Sequence, residues 1–409
     1  MIFSRVFTFF SSNLFAALIA ASLFMPVQAK ADGFDQWVRD FWPTARAKGV
    51  SPNIYNAAFA GVTIDKSILR SAGNQAEFVR AIWSYLDSAT SDNRVNSGRE
   101  MLSKHKRTLD AIEGRYGVDR HIVVAIWGME SNYGKVLNNP KIVKNVIRSL
   151  ATLAYADKRR RKFGRSQLVA ALLILERGDT TPAGLTGSWA GAMGHTQFIP
   201  TTYQAYAVDF DGDGRRNIWT SIPDALGSTA AYLNKMKWNT GKTWGYEVQL
   251  SKNFNFELAH KKSKRTLGEW QNLGVSRTHG RNFPRPSDSA RLFVPAGANG
   301  PAFLLLKNFR VIKRYNNADA YALAVGHLSD RLRGGNKFAK KWPRNSKPLN
   351  RKDRKSLQTL LRKKGFYNGS IDGKLGPVSR AAIRRYQSRL GMVADGYASS
   401  SILSKLRGG

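Results

Sequence analysis

Glu130 closes a run that is apolar on every side. From His121 the chain reads Ile122-Val123-Val124-Ala125-Ile126-Trp127-Gly128-Met129, and only then Glu130-Ser131-Asn132-Tyr133-Gly134. A helix apolar all round belongs in a core, and Gly134 is expected to supply the left-handed residue that ends it, so Glu130 falls in the last turn at the edge of the packed interior. Desolvation and the negative end of the helix dipole both oppose ionisation there, which should raise its pKa toward neutrality. A protonated carboxyl held in a cleft is what glycosidic cleavage needs, because the leaving oxygen must gain a proton as the bond breaks. The alternative is a glutamate that simply leaves the helix end for solvent, and spacing alone does not separate the two.

Three further stretches carry polar chemistry. Residues 186–200, Thr-Gly-Ser-Trp-Ala-Gly-Ala-Met-Gly-His-Thr-Gln-Phe-Ile-Pro, are rich in small side chains that let backbone approach a ligand. Ser188 and Gln197 offer neutral hydrogen bonds suited to sugar hydroxyls and amides. A glycine-rich loop packed on a helix is the competing reading, and His195, with no evident partner, fits a structural role better than a catalytic one. Residues 313–321 bring Tyr315, Asn316 and Tyr321, which face a cleft or merely cap the next helix. Asp209-Phe210-Asp211-Gly212-Asp213-Gly214-Arg215 has acids at positions 1, 3 and 5 and glycine at 6, the order of an EF-hand calcium loop. Position 12 is Thr220 rather than glutamate, Arg215 and Arg216 weaken the loop's negative field, and plain Asp-Gly turns compete with the calcium reading.

These groups need a scaffold, and 409 residues with a 42 % hydrophobic share leave room for two or three domains with real cores. Apolar positions recur at helical spacing from Phe34 to about Leu175, as in Phe78, Ile82, Tyr85 and Leu86. Between about 241 and 308 the texture turns to short β-rich runs, such as residues 246–250 and 303–306, which predicts a small β insertion within a catalytic domain spanning 32–335. A helix carrying Tyr321 and His327 should follow. Residues 336–348 are basic and aperiodic and read as a linker. Residues 349–409 should form a separate bundle of three short helices, with Pro377 at a helix start and the loops Ile371-Asp372-Gly373 and Ala394-Asp395-Gly396 echoing each other.

The formal net charge of +37 calls for a polyanionic partner, nucleic acid or an anionic glycan. Residues 1–31 read as a secretory signal peptide, with an apolar stretch of about twelve residues that is too short to span a bilayer. Export removes genomic DNA from consideration, and the run 158–162 reads as a solvated helix face rather than a nucleic-acid site. The absence of cysteine excludes disulfides, thiol nucleophiles, zinc-thiolate sites and a lipid anchor on sulfur.

Taken in order, residues 127–134, 188–203 and 314–321 resemble the motifs of the lytic murein transglycosylase B family, over nearly all of 34–333. The block Ala190-Gly191-Ala192-Met193-Gly194 and the aspartate loop downstream of it carry much of the specificity. The last segment is similar to a small helical peptidoglycan-binding domain. The resemblance implies a mainly α protein: a lysozyme-like catalytic domain with a small β insertion, plus the C-terminal three-helix domain. It implies an enzyme that cuts the β-1,4 bond between N-acetylmuramic acid and N-acetylglucosamine without water, leaving a 1,6-anhydromuramic end. Glu130 matches the family's single catalytic acid and base, and Ser188, Gln197, Tyr232, Tyr315, Asn316 and Tyr321 match positions that line the sugar cleft. The expected metal set is Asp209, Asp211, Asp213, Arg215 and Asp224, with Asp224 closing the loop around a structural calcium; the chemistry itself needs no cofactor. The partner is then the peptidoglycan glycan strand, met by a soluble, unanchored periplasmic monomer that does not bind nucleic acid. A hydrolytic muramidase and a non-catalytic wall-binding scaffold are the alternative functions.

Overall fold

The computed structural model describes residues 33–71, 81–259, 263–345 and 349–408. The expected signal peptide and Phe78 lie outside them. Among the described residues the protein is mainly α, with three apolar cores. The largest gathers side chains from Phe34 to Leu332 and includes the whole face of a central helix, Arg120–Ser131. Asp119 caps that helix by accepting the backbone N–H of His121 at 2.9 Å, and Ile122 through Gly128 are all buried. The left-handed turn expected at Gly134 begins two residues earlier: Asn132, Tyr133 and Gly134 all have positive φ, at 51°, 59° and 85°. Tyr133 can hold this strained backbone because its ring is buried against Trp127 and its hydroxyl donates to Arg94 O at 2.9 Å.

Helices Val146–Ala156 and Arg161–Glu176 form a hairpin. They pack closely at Gly164, where a Cβ would meet the backbone of Ala154 at 2.6 Å. The basic run 158–162 lies in the turn between these helices and the start of the second, so it is not a continuous helix face; Arg160 pairs with Asp157 at 3.1 Å. Helix Asp319–Leu332 lies along the central helix, with ten residues buried.

The second core fills a five-stranded antiparallel sheet. Its order is Arg265–Thr266, Ser289–Phe293, Ala302–Leu305, Gly245–Leu250, Val275–Arg277. Leu304, Leu292, Val248 and Trp270 are buried in it. The third core belongs to the helices Arg351–Lys363, Pro377–Arg389 and Ser400–Arg407. The two echoing loops have a common physical basis there. Gln358 accepts the N–H of Gly373 and donates to Asp372; Gln387 accepts the N–H of Gly396 and donates to Asp395. Each glutamine, buried on its helix, holds one Asp-Gly turn.

Residues 336–345 differ from the free linker expected from their composition. They lie as a strap on the large core. Phe338 stacks on His327 with ring centroids 3.7 Å apart and meets Phe303 edge-on at 5.0 Å. Glu247 accepts the N–H groups of Ala339 and Lys340 at 2.9 and 3.0 Å, and Arg344 grips Asp87 with both terminal guanidinium nitrogens. Phe338 and Trp342, too few to make a periodic pattern, anchor the strap.

Candidate active site

Glu130 sits half-buried in the last turn of the central helix, at the margin of the largest core. Tyr321, two residues into helix Asp319–Leu332, donates its hydroxyl to Glu130 Oε1 at 2.6 Å. Burial, and after it the Glu130 charge, pushes the Tyr321 phenol well above its ordinary pKa, so it remains a donor throughout the working range. Tyr315 is raised for the same two reasons and donates to Thr196 O at 2.6 Å. The carboxylate thus has one committed phenolic donor and a second buried phenol close enough to feel its charge.

The glycine-rich stretch 186–200 is pinned to this helix end. Ser131, the residue after Glu130, donates to His195 O at 2.6 Å and accepts the N–H of Gly134 at 2.9 Å. Trp127 Nε1 donates to His195 Nδ1 at 3.0 Å, which leaves the other ring nitrogen carrying the proton. Burial, and then nearby His105, lowers the His195 pKa to about 4, so the ring is a neutral strut at working pH. The partner that spacing did not reveal is therefore Trp127, one helical turn before Glu130.

Two glycines of this loop serve backbone-to-backbone packing. A Cβ on Gly187 would fall on Ala192 O and one on Gly194 on Ile218 O. Met193 pairs with both Gly187 and Phe198 in single β-bridges, which fold the loop into a compact knot. Ser188 spends its hydroxyl inside it, accepting the N–H groups of Ala190 and Ala192 at 3.3 and 3.1 Å. Gln197, at φ 54°, turns its amide back onto Gly194 O at 2.9 Å.

The remaining expected substrate positions divide. Tyr232 donates to Arg314 O at 2.6 Å and packs edge-on against Tyr315, centroids 5.4 Å apart, so it steadies the end of helix Lys307–Tyr315. Asn316 is the extended residue that ends that helix. Glu130, Tyr321, Tyr315 and Tyr232 are thus brought into one connected set through contacts and charge, whereas Ser188 and Gln197 shape the loop. Ser131, Trp127 and Thr196 were missed by sequence reading. Ser131 and Trp127 sit beside Glu130 in the chain, but only the fold shows which loop they hold.

The aspartate loop stands apart from Glu130. Carboxylate oxygens of Asp209, Asp211, Asp213 and Asp224 all lie within 4.8 Å of one another. Asp224 is fully buried, opens helix Ile222–Lys235, and accepts the N–H groups of Phe210 and Asn217, each at 2.7 Å. Asp209 accepts those of Gly212 and Gly214 at 2.7 and 2.8 Å, and Asp213 that of Arg215 at 2.8 Å. Burial raises the Asp224 pKa, with Asp211 adding to the rise. Four convergent carboxylates with their outer lone pairs held by backbone amides form a donor set suited to a hard divalent cation. Arg216 does not neutralise the loop as its sequence position suggested; it turns away to Asp179, at 2.7 Å.

Comparison with known proteins places these features in context. The description of the transglycosylase SLT domain matches residues 33–330, and that of a peptidoglycan binding domain matches residues 350–406. The membrane-bound lytic murein transglycosylase B of Escherichia coli is 32 % identical over 244 residues, 58 % of this chain and 63 % of that protein, so the chain spans less than two thirds of this relative. The crystal structure of SltB3 from Pseudomonas aeruginosa, solved with NAG-anhNAM-pentapeptide, is 48 % identical with a TM-score of 0.86, covering 91 % of this chain and 99 % of that one. Escherichia coli Slt35, a lytic transglycosylase solved with calcium, is 27 % identical with a TM-score of 0.61, covering 72 % and 92 %.

Tyr321→Phe keeps the buried ring and deletes only the donor to Glu130. Turnover on murein should fall roughly 10- to 100-fold, in line with the ~1.5–3 kcal/mol of a hydrogen bond to a charged group, while the melting temperature stays within a few degrees. Steady-state kinetics beside a thermal melt checks this; unchanged turnover would remove Tyr321 from the site.

Proposed function

The chain belongs to the transglycosylase SLT family, and from that premise we propose that it is a lytic transglycosylase of peptidoglycan, with Glu130 as its one acid and base. The observation that carries the reading is the Tyr321–Glu130 hydrogen bond at the end of a buried helix. It gives a single carboxyl a fixed direction and a donor that favours its ionised form.

In the first step neutral Glu130 gives its proton to the oxygen bridging N-acetylmuramic acid and N-acetylglucosamine, and the bond from muramic C1 to that oxygen breaks. Positive charge builds on the muramic ring as the leaving sugar gains a hydroxyl. The Glu130 carboxylate, now accepting from Tyr321, then takes the proton of the muramic C6 hydroxyl as O6 bonds to C1. Glu130 ends protonated, as it began, and no water is consumed. Tyr315 and Tyr232 do their part by fixing the walls around the carboxylate, and Ser188 and Gln197 by holding the loop that faces it. The product class agrees with the anhydro fragment bound to the SltB3 relative.

The protein acts on the glycan strands of the wall as a monomer, exported to the periplasm by its leader. Its C-terminal domain holds it to peptidoglycan, and its cationic surface adds a salt-sensitive attraction to acidic stems. No described helix is long and apolar enough to cross a membrane. Asp209, Asp211, Asp213 and Asp224, with the backbone of Arg215, would hold a calcium ion, which would tie the loop to helix Ile222–Lys235, the helix that carries Tyr232, in a structural role.

Two outcomes follow. Mass spectrometry of purified murein digested by the full chain should show muramic ends lighter by one water than reducing ends; reducing ends alone would make the enzyme a hydrolytic muramidase. Calcium at about a hundred times its dissociation constant should stabilise the fold by ~2.7 kcal/mol and raise the melting temperature by roughly 5 °C. Asp209→Asn should abolish that rise, and a wild-type melt indifferent to calcium would contradict the site.

A further inference from the structure

A second site lies where the C-terminal helical domain meets the catalytic one. Asp395 accepts the N–H of Ala298 at 2.9 Å, and a Cβ on Gly297 would fall on that same carboxylate, so the domains touch backbone to side chain. Lys340 of the strap donates to Ala298 O at 2.7 Å and braces the same turn. Beside this contact a cavity of about 260 Å³ opens between strand Ser289–Phe293, the start of helix Asp319–Leu332 and helix Pro377–Arg389. Arg291, Arg380 and Arg384 line it, the last two one helical turn apart.

The charges there do not balance. Among the described residues the only acid lining the cavity, Asp319, is already held by Lys313 at 2.8 Å, with Arg291 at 3.8 Å. Asp395 spends its oxygens on Gln387, Tyr397 and Ala298. Glu257 acts on Arg384 only through its charge. Among the described residues neither Arg380 nor Arg384 forms an ion pair or a side-chain hydrogen bond. Burial first, and mutual repulsion second, hold the Arg380 guanidinium below its ordinary pKa. Unpaired guanidinium groups in a seam are costly unless an anion completes them, and their planar fork matches a carboxylate.

We propose that Arg291, Arg380 and Arg384 form a carboxylate site for the peptide stem of the glycan strand, shared between the two domains. The inference rests on peptidoglycan being the substrate. Asp319, on the cavity wall, lies two residues before Tyr321, so a strand with a sugar at Glu130 reaches the seam through its own stem. The enzyme then favours stem-bearing over bare strands, and the wall-binding domain contributes directly to substrate choice.

The test uses the full chain with Glu130→Gln, so that probes are not cleaved, and two probes: soluble glycan strands with intact stems, and the same strands stripped of peptide. The stem-bearing strand should bind more tightly, and Arg380→Gln with Arg384→Gln should shrink that preference about tenfold, as loss of a charge-assisted contact implies. Binding of stripped strands should not change. Arg380→Lys with Arg384→Lys, which keeps the charge, should retain part of the preference. An undiminished preference, or an equal loss for both probes, would overturn the site. Anhydro products from the wild-type chain alongside either result would leave the catalytic reading intact.

Discussion

The hydrogen bond between the Tyr321 hydroxyl and Glu130 joins the last turn of the central helix to the first turn of helix Asp319–Leu332. Its geometry depends on packing rather than on the polar groups themselves. The central helix cannot rotate without exposing Ile122 through Gly128, and helix Asp319–Leu332 is held by ten buried residues. With both backbones fixed, the carboxyl and the phenol meet at 2.6 Å at little further entropic cost. The tight left-handed turn after Ser131 swings the chain away at once and leaves Glu130 half-buried. Trp127 and Ser131 then fasten the following loop to the same helix end through His195.

A consequence concerns how far the site extends. The strap 336–345 covers His327, which lies on the same helix as Tyr321 and is itself held neutral by burial, with a pKa of about 3. The C-terminal domain, which follows the strap in the sequence, grips the β portion through Asp395. The parts that sequence composition separates as catalytic domain, linker and appended domain are therefore in direct contact, through Phe338 on His327, Lys340 on Ala298 and Asp395 on Ala298.

Much of this was legible in the residues. Glu130 stood out because one acid follows eight apolar positions at a helix end, although spacing alone left a solvent-facing glutamate equally open, and the aspartate loop because its spacing follows ligand geometry. Pro377 and the paired Asp-Gly loops marked the last domain through local backbone chemistry. Other features depend on long-range contacts that leave no local trace. Small residues around Gly191 read equally as room for a ligand or room for backbone, and only the position of Ile218 O shows that Gly194 serves the latter. Tyr232 and Tyr315 looked like sugar contacts, yet their hydroxyls reach backbone oxygens at 2.6 Å. The strap was hidden because Phe338 and Trp342 are two anchors in a basic, aperiodic stretch.

The account turns on one carboxyl both giving and reclaiming a proton. Glu130→Gln preserves size and leaves an amide that can do neither, so its turnover on purified murein, measured with the fold verified by circular dichroism, addresses that claim directly. The account predicts a loss of at least ~10³-fold, more than general acid–base help alone usually supplies, because both steps fail together. Turnover within a few-fold of the wild-type chain would contradict it.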